Sequence, residues 1–280
     1  MREYAVEQIT EAVAQACIRA NCQLNADVMD ALASAEQTEI SGTGRVVLRQ
    51  LLENAAIARA EGMAICQDTG MAVVFVTLGQ EARITGGLLT EAIDAGVRRG
   101  YREGFLRSSV VANPLDRRNT GDNTPAVIHL SLVAGDGLSL DVCPKGFGSE
   151  NMSAVAMLKP SDGEAGVRRF VVDTVSRAGA NPCPPIVVGV GLGGTMEMAA
   201  LLAKRALMRP IGSLQEDPQL RTLERQLLQE INTLGIGPAG LGSSTTALAV
   251  LALSYPTHIA GLPVAVNISC HVTRHVRVDL

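Results

Sequence analysis

The chain has no tryptophan and only 4 phenylalanines and 3 tyrosines in 280 residues, so its core has to be built from Ala, Val, Leu, Ile and Met. It has no strong excess of one charge either. Lys and Arg number 24 against 28 Asp and Glu, with the signs mixed, for a net charge of −4. That balance leaves no electrostatic footprint for nucleic acid. No run of about 18 uncharged apolar residues occurs, so no membrane span is expected. The first residues, Met1-Arg2-Glu3-Tyr4 and then Glu7 and Glu11, lack the apolar centre of a signal peptide, and a cytoplasmic location is expected. There is no C-x-x-C pair, which argues against zinc ribbons and ferredoxins, where one short loop supplies several ligands. Internal repeats, low-complexity tracts and linkers are also absent. The 280 residues therefore read as one domain, with a helical part over about 1–62 and an α/β part over about 63–280.

Six cysteines are present, and in a cytosolic chain of this length they argue for metal or thiol chemistry over disulfides. Cys17 lies on the apolar stripe Val6, Ile9, Val13, Ala16, Ala20 of a first helix, and Cys22 follows it; both read as small buried hydrophobes. Further helices are expected over 25–36 and over 43–60, the latter with Val46, Leu48, Leu51, Leu52, Ala55 and Ile57 inward. Others are expected over 90–99 (Thr90 as N-cap), 163–180, 195–207 and 218–234. Strands are expected over 71–78, 186–190 and 262–269, and a hairpin is expected from 126–133 to 138–143 across Ala134-Gly135-Asp136-Gly137. The fold class is α/β, mixed α+β: helices packed around mixed sheets, with candidate site loops at strand ends.

The remaining cysteines share a setting. Cys66-Gln67-Asp68-Thr69-Gly70, Asn181-Pro182-Cys183-Pro184-Pro185 and Asn267-Ile268-Ser269-Cys270-His271 each put a thiol among turn formers beside a strand. Three thiolates on separate loops suit a cubane iron–sulfur cluster with one iron left open, a coordination that marks catalysis. Three unrelated buried cysteines remain the alternative on spacing alone. Lys145-Gly146-Phe147-Gly148-Ser149-Glu150-Asn151 suits anion binding through backbone N–H groups, or is an ordinary connection. His271 supports the Cys270 loop and Arg274 is placed to compensate cluster charge. Gly189, Gly191 and Gly194 satisfy G-x-G-x-x-G between a strand and a helix. No second strand delivers the acidic residue a dinucleotide fold needs, however, because Glu216 and Asp217 fall in a loop.

These motifs, in this order and over almost the whole chain, resemble the iron–sulfur-dependent class I fumarate hydratases and their kin, the L-tartrate dehydratases. The likeness is to the α subunit of the two-subunit form. It implies a [4Fe–4S] cluster held by Cys66, Cys183 and Cys270, with one iron lacking a cysteine ligand. It further implies Gln67, Asp68, Arg107 and Gly148 as contacts to a dicarboxylate substrate, and Asp68 and His258 as catalytic residues. A separate β subunit carrying the rest of the active site is implied, with α–α pairing in an α2β2 assembly. Hydration of fumarate to L-malate is the expected reaction and dehydration of tartrate the alternative. A non-catalytic iron–sulfur carrier or sensor is the rival from another class; it would have no need of Gln67, Asp68, Arg107 or His258. Cys143, on the second strand of the expected hairpin, is the nearest candidate for a fourth ligand and is read as a strand residue.

Overall fold

A computed structural model describes residues 2–280. In chain order its elements are β1 (Glu3–Ala5), α1 (Val6–Cys22), α2 (Ala26–Thr38), α3 (Gly42–Glu61), β2 (Met71–Gly79), β3 (Arg83–Thr85), α4 (Leu89–Glu103), β4 (Val127–Val133), β5 (Leu138–Lys145), α5 (Phe147–Glu150), β6 (Ala154–Leu158), α6 (Gly163–Ala178), β7 (Ile186–Gly193), α7 (Met196–Ala206), α8 (Pro218–Thr233), β8 (Ala247–Tyr255), β9 (Leu262–Ser269) and β10 (Val276–Asp279). The fold is α/β, as expected. The chain falls into two compact units, each assembled from segments distant in sequence. The first holds the residues up to Asn25, Asn54–Phe147 and Arg274–Leu280; the second holds Ala26–Glu53 and Gly148–Thr273. The division passes through α3 after Glu53.

The first unit is a four-stranded sheet, β10-β5-β2-β4, with α1 and α4 packed on one face. Ile9, Val13 and Cys17 of α1 and Ile93, Val97 and Tyr101 of α4 meet Val74, Val76, Leu140 and Val142 of the sheet. The helices approach closely because α4 carries glycine at the contact. A Cβ on Gly96 would stand 2.7 Å from the Thr10 carbonyl oxygen, and one on Gly100 2.6 Å from that of Ala14. Cys17 and Cys22 are buried, as the apolar stripe predicts, and burial pushes the Cys17 thiol up to about 12.

The expected hairpin does not form. β4 pairs with β2 in parallel and β5 pairs with β2 antiparallel, so β2 lies between them. The reason is in β2 itself. Val73 and Phe75 are buried on one side and Val74 and Val76 on the other, and a strand apolar on both faces belongs at the centre of a sheet. The 134–137 turn instead closes over the end of β2, with Gly79 N–H donating to the Gly137 carbonyl (2.7 Å) and Gln80 N–H to that of Val133 (2.8 Å). Two finer expectations also differ. Leu48 and Ala55 of α3 are buried while Val46 and Ile57 are exposed, so the buried stripe of that helix is narrower than its apolar content suggests. The N-cap of α4 is Leu88, without a side-chain bond, and not Thr90.

The second unit is a four-stranded sheet, β6-β9-β7-β8, covered on both faces. Val167, Val171 and Val175 of α6 and Leu220, Leu223, Leu227 and Ile231 of α8 pack against Val188, Val190, Val264, Val266 and Ile268. On the other face Ala199 and Ala203 of α7 pack against Ala265 of β9. In this unit α2 and the start of α3 are tied down through Glu39, whose residue is 3% exposed. Its carboxylate accepts from Ser41 N–H (2.9 Å), Thr245 N–H (3.0 Å), and the hydroxyls of Ser243 and Ser244. Burial works to raise its pKa, but the hydrogen bonds from Ser243, Ser41 and Thr245 outweigh it and hold the group at about 2, below its ordinary 4.5. A depressed carboxylate pKa gives stability that is whole above 4.5 and is lost as pH falls from there through about 2. Glu39→Gln is therefore expected to cost about 1.5–3 kcal/mol at pH 7, the range for hydrogen bonds to a charged group. Urea unfolding at pH 7 and pH 3 checks this: the gap between variant and wild type should narrow at the lower pH.

Candidate active site

Met71, the first residue of β2, pairs with Lys145, the last of β5. The antiparallel register therefore puts the Cys66–Gly70 turn and the segment after Lys145 at one end of the first sheet. Gly70 is required there twice over. Its φ is +78°, and a Cβ would stand 2.8 Å from the Lys145 backbone. Asp68 closes the turn: its carboxylate accepts from Gly70 N–H (2.9 Å) and from Phe147 N–H (2.9 Å). Thr69, buried, accepts from Arg107 N–H (2.9 Å) and donates to the Arg107 carbonyl (3.1 Å). The Arg107 backbone is thus pinned to the turn while its side chain stays exposed. Gln67 is exposed, and Cys66 and Asp68 are half-buried. In this unit Cys66, Gln67, Asp68 and Arg107 are brought together.

Two residues that sequence reasoning passed over, Tyr101 and Asn123, hold that turn together with Arg274. The Tyr101 hydroxyl donates to the carbonyls of Thr69 (2.7 Å) and Gly70 (3.0 Å), and burial pushes its phenol well above the ordinary value. Asn123, fully buried at φ +60°, donates to the Gly70 carbonyl (3.1 Å) and accepts from Ser109 and Val110 N–H. Arg274, buried, donates to the carbonyls of Asp68 and Pro144. The one sequence signal for Asn123 is the density of Asn and Asp in 119–123.

The second unit builds another strand-end assembly. Cys183 precedes β7 and Cys270 follows β9, and these strands run antiparallel with Val187 opposite Ser269. Both thiols therefore sit at one end of the sheet. The two loops are joined by His271 Nδ1, 3.0 Å from the Cys183 carbonyl oxygen. Cys183 takes a positive φ of 55° between prolines, an unusual backbone for a residue with a side chain, and its residue is exposed. Gly148 is at this end too; a Cβ there would lie 3.9 Å from the Asn181 carbonyl oxygen. Glu150 of the same segment is held by Lys204 of α7 and accepts from Asn267 Nδ2 (2.9 Å).

His258 is elsewhere. It lies in the exposed turn between β8 and β9, where its Nδ1 accepts from Ala260 N–H (3.2 Å) and its neighbour Thr257 donates to Gly194. That is the opposite end of β9 from Cys270, and an eight-residue strand separates the two by about 25 Å. The G-x-G-x-x-G glycines are structural. A Cβ on Gly189 or Gly191 would stand 2.0 Å from the carbonyl oxygens of Ala203 and Ala199, so these residues let α7 lie directly on β7.

A family model described as fumarate hydratase (Fumerase) matches residues 10–279. The chain belongs to this family. It is 41% identical over 273 residues to a protein of Methanocaldococcus jannaschii provisionally named L(+)-tartrate dehydratase subunit alpha, with 95% of each chain covered. It is 31% identical over 277 residues to the L(+)-tartrate dehydratase subunit alpha of Escherichia coli (strain K12), covering 98% of this chain and 91% of that one. The Shigella sonnei protein of the same name matches equally. The fumarate hydratase family is one of hydro-lyases, and iron–sulfur members are known in it.

Donor chemistry is compatible with such a group. Cys17, Cys22 and Cys143 are buried, whereas Cys66 and Cys270 are half-buried and Cys183 is exposed, each on a loop at a strand end. Among the described residues, no three His, Cys, Asp or Glu side chains are gathered into a group able to hold a metal ion. Also among the described residues, no helix is long and apolar enough to cross a membrane.

Proposed function

We propose that this chain is the α subunit of a two-subunit iron–sulfur hydro-lyase whose substrate is L-tartrate, with oxaloacetate and water as products. The observation that carries the choice of substrate is the near full-length similarity to proteins named L(+)-tartrate dehydratase subunit alpha, 95% of both chains in the Methanocaldococcus jannaschii case. The same names support a separate β subunit. Fumarate hydration is the second reading, favoured by the description of the family model.

In this proposal Cys66, Cys183 and Cys270 hold a [4Fe–4S] cluster. Bound there, it would supply a Lewis acid at the iron without a cysteine ligand, easing departure of the substrate hydroxyl. The chain's own residues do the rest. Arg107, with its backbone clamped by Thr69 and its guanidinium exposed, can take a substrate carboxylate bidentately. Gln67 offers an amide donor and acceptor beside it. Asp68, oriented by two backbone N–H groups, presents a fixed acceptor to the substrate hydroxyl. Gly148, without a side chain, leaves its backbone open to the substrate. Loss of an α-proton and of the hydroxyl on the neighbouring carbon turns L-tartrate into the enol of oxaloacetate plus water, and the enol then ketonises. A single chain does not set His258 beside Cys183 and Cys270. In this proposal the histidine comes from a second copy, in keeping with α–α pairing.

The test is anaerobic reconstitution with iron and sulfide, with a β subunit present, assayed on L-tartrate and on fumarate. The expected result is a kcat/KM on L-tartrate at least about 10-fold above that on fumarate, a difference of about 1.4 kcal/mol in transition-state binding. A preference of that size for fumarate would reverse the substrate assignment. Inactivity on both acids, with cluster loaded, would overturn the hydro-lyase reading of this chain.

A further inference from the structure

Arg274 is 4% exposed, and its guanidinium presents N–H donors in a planar fork with no acceptor of its own. Two of its donors are spent on neutral carbonyls: Nε on Pro144 (3.1 Å) and Nη2 on Asp68. Nη1 is buried with no hydrogen-bond partner. The nearby carboxylate, Asp68, directs both oxygens to backbone N–H groups, those of Gly70 and Phe147. A buried charge that meets only neutral acceptors is left poorly compensated until an anion joins it. The two carbonyls that Arg274 grips are those of the Cys66 turn and of the exit from β5, which meet at one sheet end. A cation with an unspent N–H therefore sits against the turn that carries Cys66.

We propose that Arg274 is a positioning residue that supplies this charge to the anionic metal–thiolate group held at Cys66. It also fixes the turn through the Asp68 carbonyl. The proposal rests on the cluster assignment above. It separates two roles that one side chain can combine, a hydrogen-bonded strap and a counter-charge.

The experiment compares wild type, Arg274→Lys and Arg274→Met in the α chain reconstituted anaerobically with its β subunit. The readouts are iron and sulfide content, cluster lifetime in air, the cluster midpoint potential from an electron-paramagnetic-resonance titration, and amide exchange at Gly70 and Phe147 before reconstitution. Both variants are expected to raise exchange at the two amides, because both lose the fork. Only Arg274→Met is expected to shorten cluster lifetime several-fold and to lower the midpoint potential, because a positive charge favours the reduced, more negative cluster. Arg274→Gln, neutral but able to donate to the carbonyls, takes the place of the methionine variant if that one does not fold. A neutral variant with wild-type lifetime and potential but raised exchange would reduce Arg274 to a strap and overturn the proposal alone. A wild-type chain that takes up no iron and sulfide would overturn the cluster assignment, and this proposal with it.

Discussion

Cys183→Ser and Cys270→Ser are each expected to strip the reconstituted protein of most of its iron and sulfide and to lower turnover by roughly 100-fold or more. The scale comes from residues that only support a metal ligand, whose loss already costs about 10–100-fold. A direct ligand should lie at or beyond the top of that range. The second unit shows why the two substitutions should behave alike. The register of β7 against β9 delivers both thiols to one end of one sheet, and the His271 contact with the Cys183 carbonyl joins their loops. Cys143→Ala is the informative control. Cys143 is a buried β5 residue opposite Val73, and its substitution is expected to leave iron and sulfide content near that of wild type. If Cys143→Ala empties the protein of iron while Cys270→Ser remains loaded, the proposed ligand set is wrong.

Gly191→Val is expected to destabilise the protein by more than about 4 kcal/mol, beyond the range of ordinary substitutions. Overpacking a core with extra methylenes costs about 1–3 kcal/mol when side chains can shift. Here the obstruction is backbone. A Cβ on Gly191 would meet the Ala199 carbonyl oxygen at 2.0 Å and the Ala203 nitrogen at 2.5 Å, and α7 would have to lift from the sheet. Ala199 and Ala203, which form the floor of that contact with Ala265, would lose their packing. Urea unfolding of the variant, or its failure to accumulate as folded protein, measures the effect. A midpoint equal to that of wild type would mean that the helix seat is softer than its geometry indicates. The glycine pattern that resembles a dinucleotide fingerprint is thus explained by helix seating.

Much of this architecture was legible in the residues. Of the inward stripe expected for α8, Leu220, Leu223, Leu227 and Ile231 are buried as a 3.6 period requires and Leu228 is half-buried. β9 runs over 262–269 as its β-branched content indicates, and so delivers Cys270 at its end. The contacts around Cys66 were legible only in part. Gln67, Asp68 and Arg107 follow from motif resemblance, but Tyr101 and Asn123 are bound to the turn by bonds to carbonyls, and no periodicity records a bond to a backbone atom. Sheet order was less accessible still. The segments on either side of Ala134–Gly137 carry every local mark of a hairpin, and only the two-faced burial of a strand some fifty residues earlier decides that β2 lies between them. β6 and β10 are short strands at sheet edges, with too few residues to show alternation. The position of His258 depends on the direction of β9, which the residues around it do not reveal.

The pairing of β7 with β9 has a consequence for how such a chain can change over evolutionary time. Between Cys183 and Cys270 the backbone travels up one strand, through α7, α8 and β8, and back down another, with connections at 207–217, 234–246 and 256–261. The distance between the two thiols is set by a ladder of backbone hydrogen bonds, so it does not depend on the length of any connection. Residues can be gained or lost in those turns without moving either thiol. The spacing of the cysteines along the chain is therefore free to drift, while their placement in space is not.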